Sequence, residues 1–490
     1  MAAMDTAFWS PNIEQREGRS PPPSRAKHLS DKDLSRAIEI YNLTCTSPNR
    51  LPNKKSKQNK KSRVSEDDQV FASNTLVEKA HTHMERNDIA GALRTFHMSF
   101  VLSCALCDSS KGDSHCEIEQ MTTKILQSMA SIHLQQNEYK FAIQKYLKAV
   151  LRLRELILFI NKNFDEVTNP EEQLHHIHDE ISSLLLHVGI LNERMGQYAK
   201  CHKSYNESLK MKRLTNLCNP MIESSIMMRI ANALSLQGKY DKAFELFQQV
   251  LDIRMESTDT NSSLVAESYN SLAQTLIFRC YFEDAEVLCF KSLDILKHKS
   301  NDNDKLMMVN TYRILGTASL RLGYTRDAMK HYKTAMKIRS NIHGVSSPST
   351  AEILLCMAEL HAHNERFDEA IKVFKEVLRL QEIDLGVNHF SIAATLNKLG
   401  SAYMRKKELK KAIRYHKLAL DINRKCSGDF SHPSIGETLN HIGNVLKRNG
   451  EREDAMNHYT DALEIFRSAE LGVGFPGVAK TIKNIAEFQL

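Results

Sequence analysis

The chain has 490 residues, several times the usual size of one domain, so it is either multi-domain or a repeat array. Its 18 glycines and 11 prolines make only about 6% of the residues and tryptophan occurs once, which argues against an all-β fold, a collagen-like chain and wholesale disorder. The net charge of +7 divides into +4 over residues 1–73 and +3 over the remaining 417, so the body lacks the concentrated basic face of a polyanion reader.

Met1 to Ser10 lacks the basic-then-apolar pattern of a signal peptide, and no apolar run approaches the roughly 18 residues of a bilayer span. A cytoplasmic protein with reduced cysteines and no membrane insertion is expected. Residues 1–73 read as a mostly disordered basic tail, with Ser20-Pro-Pro-Pro23, the run Lys54, Lys55, Lys57, Lys60, Lys61, Arg63, and few apolar residues. The basic run also fits a nuclear address, the alternative location. Within the tail, Ser30 to Tyr41 predicts a short amphipathic helix, with Ser30 and Asp33 at capping spacing and Leu34, Ala37, Ile38 and Tyr41 on one side. Residues 74–200 read as amino-terminal repeat units with insertions. Here a longer loop is expected from Cys107 to His115, around Gly112, and then two over-long helices, with Thr168-Asn-Pro170 as cap and first-turn proline of the second. Residues 201–490 read as a regular array ending in a half repeat, in which Val478 to Leu490 supplies a first helix without a second.

The repeat is defined by a small residue followed by another twelve places later. The first column is Ala80, Ala130, Gly189, Ala231, Ala273, Gly316, Ala358, Gly400, Gly443 and Ala486; the second is Ala92, Ala142, Cys201, Ala243, Ala285, Ala328, Ala370, Ala412 and Ala455. Four places after the second column stands a ring in most units, with Cys289 and His416 departing. Two antiparallel helices joined by a tight turn approach closely only where facing side chains are small, and rings fill the space beside those contacts. One pair cannot bury its apolar face alone, so pairs stack. The expected fold is all-α, a tetratricopeptide repeat α-solenoid forming a right-handed superhelix of helix pairs. From Cys201 the second column advances by 42, 42, 43, 42, 42 and 43 residues, against a usual tetratricopeptide period of 34.

The links between units share a phrase, seen in Leu385-Gly-Val-Asn-His-Phe-Ser, Ser427-Gly-Asp-Phe-Ser-His-Pro-Ser and Leu471-Gly-Val-Gly-Phe-Pro. Pro348, Pro433 and Pro476 each fall ten residues before the first column, where a helix would start. In period and phrase, residues 200–490 resemble the repeats of the kinesin light chain family. That resemblance implies the fold and a habit of binding peptides. The heptad coiled coil with which kinesin light chains begin has no counterpart in residues 1–73, so an adaptor is expected rather than a motor subunit.

The groove-facing places of tetratricopeptide superhelices lie three before and one, four and five after the first column. They hold Asn270, Gln274, Arg313, Arg321, Asn397, Arg405, Asn440, Asn444, Lys447 and Arg448, and Asn310 joins them from six before Gly316. Amides match the backbone of an extended peptide and guanidinium forks match carboxylates, so the expected partner is an extended, acidic protein segment. The clamp by which co-chaperone tetratricopeptide domains hold a terminal carboxylate is not matched by Asn270/Gln274, Arg313/Thr317 and Leu355/Glu359, nor by Asn397/Ser401, Asn440/Asn444 and Lys483/Glu487. A chaperone-tail receptor is therefore not expected.

No phosphate loop, His-Glu-x-x-His or Gly-x-Ser-x-Gly motif occurs, so neither an enzyme nor a cofactor is expected. Cys104 and Cys107, with His115 and Cys116, read as free thiols at a helix end and in a loop beside a histidine rather than a zinc site, and His175, His176 and His178 as solvated. The alternatives to an adaptor are a nucleic-acid-associated factor using the tail with Arg321, Arg405 and Arg448, and an obligate accessory subunit of a larger complex. Nucleic acid is disfavoured by the balanced body.

Overall fold

A computed structural model describes residues 31–45, 65–107, 110–216, 218–258, 262–344, 348–428 and 432–489. These form twenty α-helices, two short 3-10 turns and, among the described residues, no strand. After α1 (Asp31–Cys45) come nine successive pairs: α2 (Glu66–Glu85) with α3 (Ile89–Cys107), α4 (Gly112–Gln135) with α5 (Tyr139–Lys162), and α6 (Pro170–Arg194) with α7 (Tyr198–Arg213). Next are α8 (Pro220–Leu236) with α9 (Tyr240–Ser257), α10 (Ser263–Phe278) with α11 (Phe282–Leu296), and α12 (Asp302–Arg321) with α13 (Thr325–His343). The last are α14 (Ala351–His363) with α15 (Phe367–Leu385), α16 (Phe390–Arg405) with α17 (Leu409–Ser427), and α18 (Pro433–Asn449) with α19 (Arg452–Ser468), followed by the single α20 (Pro476–Gln489).

Local chemistry sets where each helix stops. Within every pair a turn of two or three residues carries a left-handed residue seven places after the first column: Asn87, Asn137, Gly196, Gly238, Cys280, Gly323, Glu365, Lys407 and Gly450, with φ between +58° and +90°. The next amide donates five residues back, as in Asp88 N to His83 O at 2.8 Å and Glu451 N to Leu446 O at 3.0 Å, which satisfies carbonyls that the helix end leaves open. The link phrase has its own reason. Gly386 and Gly428 cap α15 and α17, and His389 and His432 cap the following helices, each Nδ1 accepting the amide two residues on at 3.2 and 3.1 Å. Pro433 and Pro476 are first residues of α18 and α20, as expected of a residue without an N–H. Pro348 instead opens a 3-10 turn, Pro348–Thr350, ahead of α14.

The columns meet across each pair. Thirteen of the nineteen column residues are fully buried alanines, four are buried glycines and one is the buried Cys201, with Ala486 alone exposed, and the rings of Phe96, Tyr205, Phe247, Tyr332, Phe374 and Tyr459 fill the space beside them. A Cβ on Gly443 would run into the ring of Tyr459, so the packing fixes that glycine. Ser73 with Ser99, and Ser182 with Ser208, bond hydroxyl to hydroxyl at 2.7 and 2.9 Å, holding the two helices of a pair at close approach.

The chain divides into two compact units, one of Asn12–Leu191 with Asn206–Cys218 and the other containing Asn192–Tyr205 and Asn219–Leu490. In the second unit, successive first helices touch one another, α10 to α12, α12 to α14, and so on to α20, so they share one face of the array. This unit also touches itself at long range. Gly472 N donates to Gln237 O at 3.1 Å, and the backbones of Gly238 and Gly474 leave no room for a Cβ on either. A Cβ on Gly196 would run into the side chains of His432 and Pro433. Both contacts span 236 residues, from a turn to the link that opens the sixth pair after it.

Four expectations are corrected. The tail boundary at residue 73 falls inside α2, which starts at Glu66 behind the cap Ser65, and α1 packs Ala37 and Ile40 against Ala72, Leu76 and Leu102. In α1, Ile38 is exposed, because the contact with α2 and α3 selects the Ile40 side; the proposed cap Ser30 lies outside the described residues. The predicted Cys107 to His115 loop is cut short, since α3 runs to Cys107 and α4 already begins at Gly112. One helix, Ile89–Cys107, is apolar and long enough to cross a membrane, contrary to the reading of apolar runs; it buries Ala92, Phe96, Ser99, Leu102 and Ser103 in the first pair. The over-long helices are present as α5 and α6, of 24 and 25 residues. The basic run from Lys54 to Arg63 lies outside the described residues.

Candidate functional site

The residues of the predicted ladder stand on α10, α12, α16 and α18, with Asn270, Asn397 and Asn440 buried, and the structure sorts them into three groups. At one end, Arg313 on α12 donates through Nη2 to Asn310 Oδ1 at 2.8 Å and to Gln274 Oε1 on α10 at 3.5 Å. Arg313 also lies beside Glu352 on α14, whose carboxyl burial pushes up while Arg313 and Arg339 pull it back. Asn270 adjoins this cluster on α10. It is 3% exposed, and neither its Oδ1 nor its Nδ2 has a hydrogen-bond partner.

In the middle, Asn397 is committed inside the array. Its Nδ2 donates to Thr438 Oγ1 at 2.7 Å, and its Oδ1 accepts from His416 Nδ1 at 2.9 Å. His416 stacks on His441 with ring centroids 5.2 Å apart. An ion pair joins Lys398 on α16 to Glu359 on α14. Burial alone would raise the Glu359 carboxyl, but the charge and hydrogen bond of Lys398 together hold it below the usual range.

At the far end, Asn484 Nδ2 bridges Asn440 Oδ1 at 2.8 Å and Asn444 Oδ1 at 3.0 Å, tying α20 to α18. The Tyr459 hydroxyl also donates to Asn444 Oδ1 at 2.9 Å. Lys447 pairs with Glu487 at 2.5 Å, and Arg405 donates to the Ala362 carbonyl at 2.8 Å over the Phe367 ring. Arg321 and Arg448 are exposed. Asn397, Asn440, Asn444, Arg405 and Lys447 thus bond between or within repeats, Gln274, Asn310 and Arg313 form one cluster, and Asn270 is buried without a bond.

Column spacing placed Glu359 on this face but missed Glu352, Lys398, His441 and Asn484. A signal existed, since Glu352 stands six before its column, like Asn310, and Lys398, His441 and Asn484 each stand two before theirs. In the other unit, a pocket of about 520 Å³ opens between α2 and α4, lined by Asn74, His81, Glu117, Gln120, Lys124 and Ser128 among others.

The cysteine and histidine readings are placed as well. Cys104 Sγ accepts from Arg152 Nη2 at 2.8 Å, and His115 Nδ1 meets the Cys107 carbonyl at 3.1 Å against the Phe159 ring. Burial pushes the Cys116 thiol up to about 11. Of the three histidines on α6, His176 is exposed, whereas His175 meets the Leu214 carbonyl and burial lowers His178.

Residues 223–298 and 307–468 match the tetratricopeptide repeat family, in overlapping spans, and the array is built of these repeats. Curated relatives include protein kinesin light chain-related 1 of Arabidopsis thaliana, 24% identical over 199 residues, and kinesin light chain-related 3 of the same plant, 23% identical over 197. Each match covers 40% of this chain but only 32% and 30% of those proteins. Among solved structures, BtubC (BKLC) from P. vanneervenii is similar with a TM-score of 0.36 and 21% identity, over 52% of this chain and 91% of that one. A Rap protein complexed with Competence and Sporulation Factor gives 0.47 and 12%, over 81% and 98%.

Proposed function

We propose that this tetratricopeptide-repeat chain is an adaptor that binds an extended segment of a partner protein along the shared face of α10 to α20, in the cytoplasm and without chemistry of its own. The observation that carries the reading is Asn270, whose two polar atoms are unpaired and closed to solvent in the free chain and are uncovered as the segment binds. An amide buried with both polar atoms unpaired costs about 1–3 kcal/mol, and such a cost persists where a ligand supplies the missing bonds. An extended backbone offers an N–H and a C=O at the right spacing for one carboxamide. Gln274, Asn310 and Arg313 lie next along that path, and the exposed Arg321 and Arg448 favour a segment carrying carboxylates.

The test measures stability and binding together. Asn270→Ala removes the unpaired amide, so Tm is expected to rise by a few degrees, about 1 kcal/mol, while the variant loses affinity. Fluorescence anisotropy against a panel of extended acidic peptides should show at least about tenfold weaker binding to the variant. If the peptides that bind wild type bind Asn270→Ala equally well, this face is not the peptide site.

A further inference from the structure

On the second helices of the regular array, the places five and nine after the second column are polar except for Phe290 of α11. Five places after the second column stand Lys333, Lys375 and Lys417, and nine places after it Lys337, Arg379 and Asp421. In α5 the same two places are Leu147 and Leu151, 41% and 57% exposed, and the extra length of this helix adds Leu158, 70% exposed. Repeat packing does not require these residues, because the buried side of α5 is already made by Ala142, Tyr146, Ala149, Val150, Leu153 and Leu156.

The exposed residues have an order of their own. Phe141, Gln144, Lys148, Leu151, Glu155, Leu158 and Lys162 follow one another by steps of three and four, the spacing of a helix-pairing seam on the outward side of the helix. Laid antiparallel on itself, this seam is self-complementary. Leu151 meets Leu151 on the dyad, and Lys148 opposes Glu155 twice. Gln144 covers Leu158, and Lys162 reaches the Phe141 ring. Parallel pairing would oppose Lys148 to Lys148 and Glu155 to Glu155. The other outward apolar patch, Val287 and Phe290 on α11, lacks this property, since the same operation sets Glu283 against Asp294.

We propose that α5 is a self-association surface, on which two copies of this chain pair antiparallel about a dyad through Leu151. In the free chain Lys148 Nζ lies 4.1 Å from the Phe100 ring centroid, and Glu155 lies 3.7 Å from Arg152. On pairing, the two turn to each other across the interface. This surface belongs to the unit that does not carry the proposed peptide site, so its failure and the failure of that site are separate results.

The full-length chain, followed by light scattering after size exclusion from about 1 to 100 µM, is expected to rise from one chain mass toward two. Lys148→Glu should weaken association at least about tenfold, because symmetry counts each new repulsion between carboxylates twice. Lys148→Glu combined with Glu155→Lys should return it to within about threefold of wild type, and Leu151→Glu should abolish it. Circular dichroism checks that each variant folds; the double variant still carries the Lys148→Glu change, so its recovery also removes a folding defect as the explanation. A single chain mass at every concentration, association indifferent to Leu151→Glu, or a charge swap that restores nothing would each overturn the proposal.

Discussion

Five of the nine intra-pair turns place a residue with a Cβ at a left-handed position, and three of these, Cys280, Glu365 and Lys407, are not the asparagine that tolerates it. The conformation costs such residues roughly 1–2 kcal/mol relative to glycine, partly offset by the freedom that glycine adds to the unfolded chain. Each of Cys280→Gly, Glu365→Gly and Lys407→Gly is therefore expected to raise unfolding free energy in urea by about 0.5–1 kcal/mol, and Asn87→Gly by less. Loss of stability instead would mean that the side chains hold these turns. The glycines at 196, 238, 323 and 450 advertise a turn in the sequence. Asn87 and Asn137 are weaker marks of the same kind, and the turns at Cys280, Glu365 and Lys407 are legible only by register, because repeat spacing, and not residue type, marks them.

At the scale of the helix pair, α17 breaks the rule of a phenylalanine or tyrosine on the small column and puts His416 against Gly400. His416 is fully buried, donates Nδ1–H to Asn397, and leaves Nε2 without a partner. Burial holds its basicity well below the ordinary histidine range, and His441 beside it adds to this. Burial, with Lys480 and Lys398, also lowers His441 to about 4, and burial lowers the capping His432 to about 3. Each is neutral in the fold but takes a proton near 6.5 when unfolded, so below that pH the unfolded state binds more protons. Their contribution is complete above pH 6.5 and is lost as pH falls toward 4 and 3. Between pH 7 and 4.5, wild type should lose more stability than His416→Phe in parallel urea titrations; coincident pH profiles would clear His416 of the effect. The departure at His416 was visible in the column. Its bond to Asn397 was not, nor was that of Asn440 to Asn484, because helical spacing assigns a side chain to a face without saying what the neighbouring helix offers there. The same limit explains α1, where two apolar faces compete and only contact with α2 and α3 selects Ile40 over Ile38.

At the scale of the whole array, repeats that touched only their neighbours would have stabilities that add almost independently. The contacts of Gly196 with His432 and of Gly238 with Gly474 break that independence. Gly323 and Gly450 hold the same turn position with positive φ but meet nothing, which makes them matched controls. Gly196→Ala and Gly238→Ala are expected to cost at least about 2 kcal/mol more than Gly323→Ala and Gly450→Ala, since all four share the backbone strain and only two add a clash. Equal losses across the four would show that the long-range contacts carry no stability.

These contacts also set a clock. The turn at Gly238 precedes Gly474 by 236 residues, roughly 12 to 47 s of synthesis at ordinary elongation rates. Throughout that interval a folded, neighbour-stabilised array presents a backbone surface whose cover does not yet exist. A nascent chain of this protein is therefore most exposed to misassembly after most of its repeats have already formed.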